Sequence, residues 1–243
     1  MYCLVYGQMS HWGINNALNI VVNKNNLKNK YICISRFDIN NYTGPLHIDI
    51  ISIIYGSLLG DAHAEKRKGG KGTRISFYQE GSHSDYLLYL HNLVSNLGYC
   101  NTNIPKIQTR LKKGGIRKII RFHTWTYTKF NKIHDEWYDE NNKKIVPKSI
   151  YENLTPLALA IWIMDDGGKV GSGLKLATNS FKYSDVLYLK DVLQKKYNLK
   201  LSIQKTGKEN QYHIYIWKES MPDLVKIVSP YIINSMKYKL IIN

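Results

Sequence analysis

The chain of 243 residues carries 34 lysines and arginines against 18 aspartates and glutamates, and its net charge of +16 indicates a polyanionic partner, nucleic acid before an anionic membrane. Hydrophobic residues make up 44% of the chain, which excludes a wholly disordered protein. Cys3, Cys33 and Cys100 form no C-x-x-C pair, which disfavours a disulfide framework and a zinc site, and no apolar run reaches the ~18 residues of a membrane span.

Residues 1–45 differ from the rest of the chain, because they are rich in asparagine and only weakly periodic. We interpret them as a leader and linker that is loosely attached or partly disordered. Within this leader, the stretch Tyr6–Gly13 resembles mitochondrial cytochrome b, and the match ends at Gly13. An intron reading frame fused to its upstream exon would explain such a fragment; chance similarity is the alternative.

An apolar run with small residues inside it, Ile53–Ala62, lies in a buried helix that is predicted to begin at Pro45. The run ends at Asp61, although an acid at a helix C-terminus is unfavourable because the helix dipole is negative there. The other elements predicted before residue 150 are a strand at 75–79, a helix capped by Ser84 and Asp85, a strand at 119–125 and a helix at 129–138.

A second run of the same character, Ala158–Gly168, ends in Asp165 and Asp166. Thr155 is predicted to cap its helix, with Pro156 in the first turn. The elements that follow are a strand at 174–179, a helix capped by Ser184 and Asp185, strands at 201–205 and 211–217, and a helix at 221–228.

The order of elements therefore recurs, with Asp61 and Asp166 separated by 166 − 61 = 105 residues. Each unit is interpreted as helix, two strands, helix, two strands, helix. We predict an α+β fold: a pseudo-two-fold tandem repeat of αββαββα units, the first at 46–150 and the second at 151–243. Such a repeat brings both acidic helix ends to one seam, where divalent cations between the carboxylates would offset their repulsion.

The two runs resemble the motif of the LAGLIDADG homing endonucleases, in the single-chain form with two motifs. The first copy, Ile54–Ala62, keeps Gly56 and Asp61 of the nine letters and ends in alanine where glycine is usual. The second copy is more specific, because it keeps five letters: Leu159, Ala160, Ile163, Asp166 and Gly167. The resemblance covers about residues 46–240 and, with the leader, points to members encoded in mitochondrial cytochrome b introns.

The resemblance implies the site residues. Asp61 and Asp166 stand at the metal-binding letter, with Asp165 as a neighbour, and Mg²⁺ or another divalent cation is the implied cofactor. Lys144 and Lys239 stand where the family has basic residues near the reacting phosphate. The remaining implied catalytic positions, at the ends of matching strands, are Gln79 and Asn179. The fold it implies has saddle-shaped β-sheets that bind DNA.

Polar and cationic residues interleave along the predicted strands and are candidates for DNA contacts. In the first unit they are Arg74, Ser76, Arg110, Lys112, Arg117, Lys118, Arg121 and His123. In the second unit they are Lys175, Lys205, Gln211, His213 and Tyr215.

We predict a site-specific double-strand DNA endonuclease that uses divalent metals to promote intron homing, as a mitochondrial monomer with an internal pseudo-two-fold and without a membrane partner. The alternative is an RNA maturase that assists splicing of its own group I intron, and both activities could coexist. A third hypothesis is a relative that binds DNA without cutting it. The presence of both Asp61 and Asp166 argues against this last hypothesis, because a binding protein needs no acids at a DNA-facing seam.

Overall fold

The computed structural model describes residues 45–66, 69–112 and 115–240, without the side chain of Lys112. The leader predicted at 1–45 lies, apart from its last residue, outside these ranges. Of the helices within them, none combines the length and the apolar character that crossing a bilayer requires.

The first half of the described chain begins with a helix and alternates helices with pairs of strands. Its elements are α1 (Ile48–Leu59), β1 (His63–Lys66), β2 (Thr73–Glu80), α2 (Ser84–Asn96), β3 (Gln108–Lys112), β4 (Gly115–His123) and α3 (Phe130–Trp137). After a short helix, α4 (Ile150–Asn153), the second half repeats this order. Its elements are α5 (Pro156–Asp166), β5 (Gly167–Val170), β6 (Gly173–Ala177), α6 (Tyr183–Tyr197), β7 (Leu201–Lys205), β8 (Tyr212–Ile216) and α7 (Met221–Val228).

The strands form two antiparallel four-stranded sheets with the same topology, β1-β2-β4-β3 and β5-β6-β8-β7. The predicted α+β fold with repeated αββαββα order is therefore confirmed. Alternation along β2 turns Ile75 and Phe77 toward the helices, where Phe77 stacks on Phe122 of β4 with ring centroids 4.5 Å apart. One face of each sheet is thus fixed against the core, and the other is left for polar side chains.

The core is centred on α1 and α5, which pack against each other and carry the two acidic ends. Ile53, Ile54 and Leu58 of α1 are buried, and so is every residue of α5 from Ala158 to Met164. Gly56 makes the close approach possible, because a Cβ atom there would lie 2.4 Å from the carbonyl oxygen of Ala158. Each fully buried aliphatic side chain contributes about 1.5–3 kcal/mol, so this contact holds the two halves together.

The predicted helix starts are right at one position and displaced at others. Thr155 caps α5 as predicted, accepting a hydrogen bond from the Ala158 amide at 3.2 Å. The predicted caps of α2 and α6 are wrong, because these helices begin at Ser84 and Tyr183, with His83 and Lys182 at the N-cap and no capping bond from either side chain.

Two of these displacements have a local cause. A 3₁₀ turn at Gly81–His83 runs directly into α2 and moves its start, so that Asp85 already lies in the first turn. Helix α1 begins at Ile48 rather than Pro45, because His47 occupies the N-cap and accepts from the Asp49 amide at 3.1 Å.

Candidate metal and nucleic-acid site

The C-terminal ends of α1 and α5 meet at one seam. A Cβ atom on Gly60, which follows α1, would lie 2.4 Å from the Asp165 Cβ in α5. Gln79 of β2 bridges the two ends, since its Nε2 donates to Asp61 Oδ2 at 2.7 Å and to Asp165 Oδ1 at 3.1 Å. Asp166, the next residue, is close enough for the charge of Asp61 to raise its pKa. The seam therefore brings three carboxyl groups near enough to influence one another's charge.

Burial and mutual repulsion make this seam a poor place for negative charge. Burial, followed by the charge of Asp61, raises the pKa of Asp166 to about 6, while Lys239 and Lys144 oppose the shift. Burial and the same neighbouring charge raise the pKa of Asp165 well above its usual range. A bound cation would relieve the repulsion that the folded chain maintains here.

Two lysines complete the ends of the central helices. Lys144 Nζ donates to the carbonyl oxygens of Gly60 at 3.2 Å and Ala62 at 2.9 Å. Lys239 Nζ donates to the carbonyl oxygens of Met164 and, at 2.9 Å, Asp165. Burial lowers the pKa of both lysines, although the neighbouring acids oppose this. Each lysine satisfies carbonyls at or just beyond a helix end and adds positive charge where the dipole is negative.

Gln79 and Asn179 occupy different environments, so the two halves are not equivalent here. Gln79 is buried in β2 and bonded to the acids. Strand β6 ends at Ala177, and Asn179 is exposed in the turn beyond it. Thr178, between the end of β6 and Asn179, is buried instead, and its Oγ1 donates to the Tyr212 carbonyl oxygen at 2.8 Å. The structure brings Gln79 to the acids and leaves Asn179 on the surface.

Asp61 and Asp166 suit a cation that is shared with the substrate. They suit a cation enclosed entirely by protein ligands less well. Within the described ranges, no three His, Cys, Asp or Glu side chains form a group that could hold a metal ion. Magnesium typically keeps several waters and binds through one or two carboxylates together with substrate phosphates. Asp61 is exposed and Asp166 is partly exposed, so both can offer an oxygen to such an ion.

The candidate DNA residues of the first unit share the outer face of the first sheet. Directly opposed residues point to the same side, and Ser76 lies opposite His123 while Arg110 lies opposite Arg117. The same alternation places Arg74 and Arg121 on this face. The side chain of Lys112 lies outside the described part of the chain, so its candidacy stays a prediction. Lys118 is the exception, because it lies opposite Thr109 on the other face.

Ion pairs neutralise some of these cations. Arg74 bonds to Glu65 through Nε at 2.7 Å, and Arg117 pairs with Glu80. Within the described part of the chain, Arg110 and Arg121 take part in no ion pair and are exposed. These two are the arginines most available to a nucleic acid.

A small network on the same face holds His123 in place. Ser76 Oγ lies 2.8 Å from both Glu65 Oε1 and His123 Nδ1. Burial, followed by the charge of Arg74, lowers the pKa of His123, which favours its neutral form.

The second sheet has a smaller outer face. Lys175 lies opposite Tyr215, and His213 lies opposite Ala177 on the same side, with Gln211 just before the strand. Lys205 does not join them, because it lies opposite Tyr212, whose ring contacts Tyr183 of α6 on the helix side.

Among the residues that sequence reasoning missed on these outer faces are Tyr78 and Gln204. Tyr78 lies opposite Arg121 on the first sheet, and Gln204 bonds to His213 at 3.0 Å on the second. The two-residue period would have found Tyr78, since it follows Ser76 by two positions.

Replacing Asp166 by asparagine should stabilise the metal-free protein, and more so at pH 8 than at pH 4.5. The raised pKa means that the folded state binds the Asp166 proton more tightly than the unfolded state. Stability is therefore lost as pH rises from about 4 to about 6, and the loss is complete above pH 6. A shift of roughly two units corresponds to about 3 kcal/mol. Urea unfolding in the presence of a chelator measures the difference; an equal effect at both pH values would contradict this origin.

Comparison with known proteins gives a consistent set of matches. A family model described as the LAGLIDADG DNA endonuclease family matches residues 51–224. The cytochrome b mRNA maturase bI2 of Saccharomyces cerevisiae is 53% identical, over 98% of this chain and 68% of its own length. The maturase of the same name from Debaryomyces hansenii is 60% identical, over 86% of this chain and 80% of its own. Among solved structures, the homing endonuclease I-WcaI bound to its DNA recognition sequence matches with a TM-score of 0.74 and 29% identity, over 85% of this chain and 92% of that chain.

Proposed function

The chain belongs to the LAGLIDADG DNA endonuclease family, and from this premise we propose that it is a site-specific double-strand DNA endonuclease that depends on divalent metal and promotes intron homing. The predicted resemblance to this family and to its cytochrome b intron-encoded members is confirmed. The observation that carries the proposal is the meeting of Asp61 and Asp166 at one seam, beside two sheets whose outer faces carry polar and cationic side chains. One acid from each half suits the cutting of two strands.

In this proposal, Asp61 and Asp166 hold divalent cations, Mg²⁺ in the first instance. When bound, the metal activates water and neutralises the charge that develops on the reacting phosphate. Gln79 orients Asp61 through its 2.7 Å hydrogen bond. Lys144 and Lys239 add positive charge beside the phosphate, from positions that their bonds to backbone carbonyls at the helix ends fix. Asn179, exposed beyond β6, is left with at most a contact to phosphate or water.

The two outer sheet faces would lie along the DNA. Arg110 and Arg121, which lack acidic partners among the described residues, suit contacts to base edges, and Gln211 and His213 offer similar groups in the second half. Lysines such as Lys175 suit phosphate, as does Lys205 at its strand end. The remaining candidates on these faces are Arg74, Ser76, Arg117, His123 and Tyr215.

The test of this function is a cleavage assay with Mg²⁺ on a duplex that contains the intronless cytochrome b sequence. We expect one double-strand break, near the point where the intron would be inserted. The matched control is the same duplex with the intron in place, which interrupts the target and should stay intact. Failure to cut the intronless duplex with Mg²⁺ or Mn²⁺ would overturn the proposal.

A second candidate function is assistance to the splicing of its own group I intron. Two relatives with high identity carry the name cytochrome b mRNA maturase, and this supports intron RNA as a partner alongside DNA. The same similarity supports a mitochondrial origin, and we propose the mitochondrion as the compartment. Splicing of the precursor RNA with and without the protein tests this function independently of cleavage.

A further inference from the structure

Asp165 lies in the second motif, but its carboxyl group is embedded in the first half of the protein. It accepts a hydrogen bond from Gln79 Nε2 at 3.1 Å, and the backbone amide of Asp61 lies near it. The Tyr86 hydroxyl lies beside it, and Gly60 leaves room for its Cβ. Asp165 of α5 thus contacts Gly60, which follows α1, and the Gln79 side-chain amide that holds Asp61.

Among the described residues, no matching group supports Asp166 from the other side. At the end of α1, Gly60 faces Asp165, and glycine has no side chain that could support Asp166 in return. Thr178 occupies the buried position after β6, and its hydroxyl bonds to a backbone carbonyl instead of an acid. Asp61 is therefore held by Gln79, which Asp165 holds in turn, whereas the described residues provide no such pair for Asp166.

We propose that Asp165 is a positioning residue for one half of the active site: it fixes the Gln79 amide that holds Asp61, and so serves the cut that Asp61 makes. A side-chain amide has two N–H groups and a rotatable stem, so one acceptor alone leaves its orientation open. The second acceptor, Asp165 Oδ1, aligns the amide with Asp61 Oδ2. This inference rests on the proposed nuclease function and adds an asymmetry between the two strands.

The experiment follows the two DNA strands separately, with each 5′ end carrying a different fluorophore. Gln79→Ala identifies the strand that depends on Asp61, because Gln79 contacts that acid directly. Asp165→Ala should slow the same strand at least about tenfold more than the other strand. Asp223→Ala, which removes an exposed acid from α7, is the matched control and should leave both rates unchanged. Equal slowing of both strands, or slowing of the opposite strand, would overturn the inference.

Two further variants separate positioning from general damage. Asp165→Asn keeps an oxygen acceptor for Gln79, so it should restore the slowed strand to within about threefold of the wild-type rate. The double variant Gln79→Ala/Asp165→Ala should be hardly slower than Gln79→Ala, because residues that act through one another are not additive. Failure of the asparagine to restore the rate, or additive losses, would contradict the role.

Failure of the nuclease proposal is distinguishable from failure of this inference. A wild-type protein that cuts neither strand overturns the nuclease function. A crystal structure of the Asp165→Ala variant tests the positioning independently of cleavage. The Gln79 amide is expected to leave Asp61 Oδ2 in that structure, and an amide that stays in place would overturn the inference.

Discussion

Replacing either Asp61 or Asp166 by asparagine is expected to slow DNA cleavage by about 10³-fold or more. An asparagine oxygen carries no charge, so it binds a divalent cation weakly and no longer helps to neutralise the reacting phosphate. A loss of about 4 kcal/mol of transition-state stabilisation corresponds to this factor. Single-turnover cleavage of the intronless duplex at saturating Mg²⁺ measures the effect.

The same variants should still bind DNA, because the outer sheet faces are untouched and each substitution removes one negative charge. Gel-shift affinity in Ca²⁺ checks this, with Asp223→Asn as a control that alters an exposed acid far along the chain in α7. Cleavage within tenfold of the wild type in a folded variant would contradict the roles of Asp61 and Asp166. Support of splicing should survive in both variants, since it needs a binding surface and no metal; its loss in folded variants would contradict the two-function hypothesis.

The order of elements could be predicted because it depends on local patterns. Apolar periodicity identified α1 and α5, and the capping chemistry of Thr155 and Pro156 acts within one helical turn. Alternation also identified the outer face of the first sheet through Ser76 and His123, since a two-residue period fixes the side of every residue once one is known.

Contacts between distant segments could not be predicted in this way. Gln79 and Asp165 are 86 residues apart, and their hydrogen bond depends on how closely Gly60 lets α1 and α5 approach. Lys205 illustrates the same limit, because its side of the sheet follows from the register of β7 with β8. Asn179 is predicted, like Gln79, at the end of a matching strand, but β6 ends two residues earlier and leaves Asn179 in a turn.

Replacing Gly56 by alanine is expected to destabilise the protein by about 3 kcal/mol or more, although alanine favours a helix over glycine by about 1 kcal/mol. The new Cβ would lie 2.4 Å from the Ala158 carbonyl oxygen and 2.9 Å from its Cα. Both are backbone atoms, so no side-chain rotation can relieve the contact, and α1 and α5 must move apart. Urea unfolding measures the loss.

Gly168→Ala is the matched control, because nothing lies within 4 Å of a Cβ atom there, and its effect should stay below about 1 kcal/mol. Separation of α1 and α5 would also displace Asp61 from Asp165 and Gln79, so the Gly56 variant should lose cleavage even at temperatures where it remains folded. A Gly56→Ala protein with wild-type stability and activity would show that the two helices are not held at this distance. The acids would then owe their proximity to the strands and to the two lysines, rather than to the helix contact.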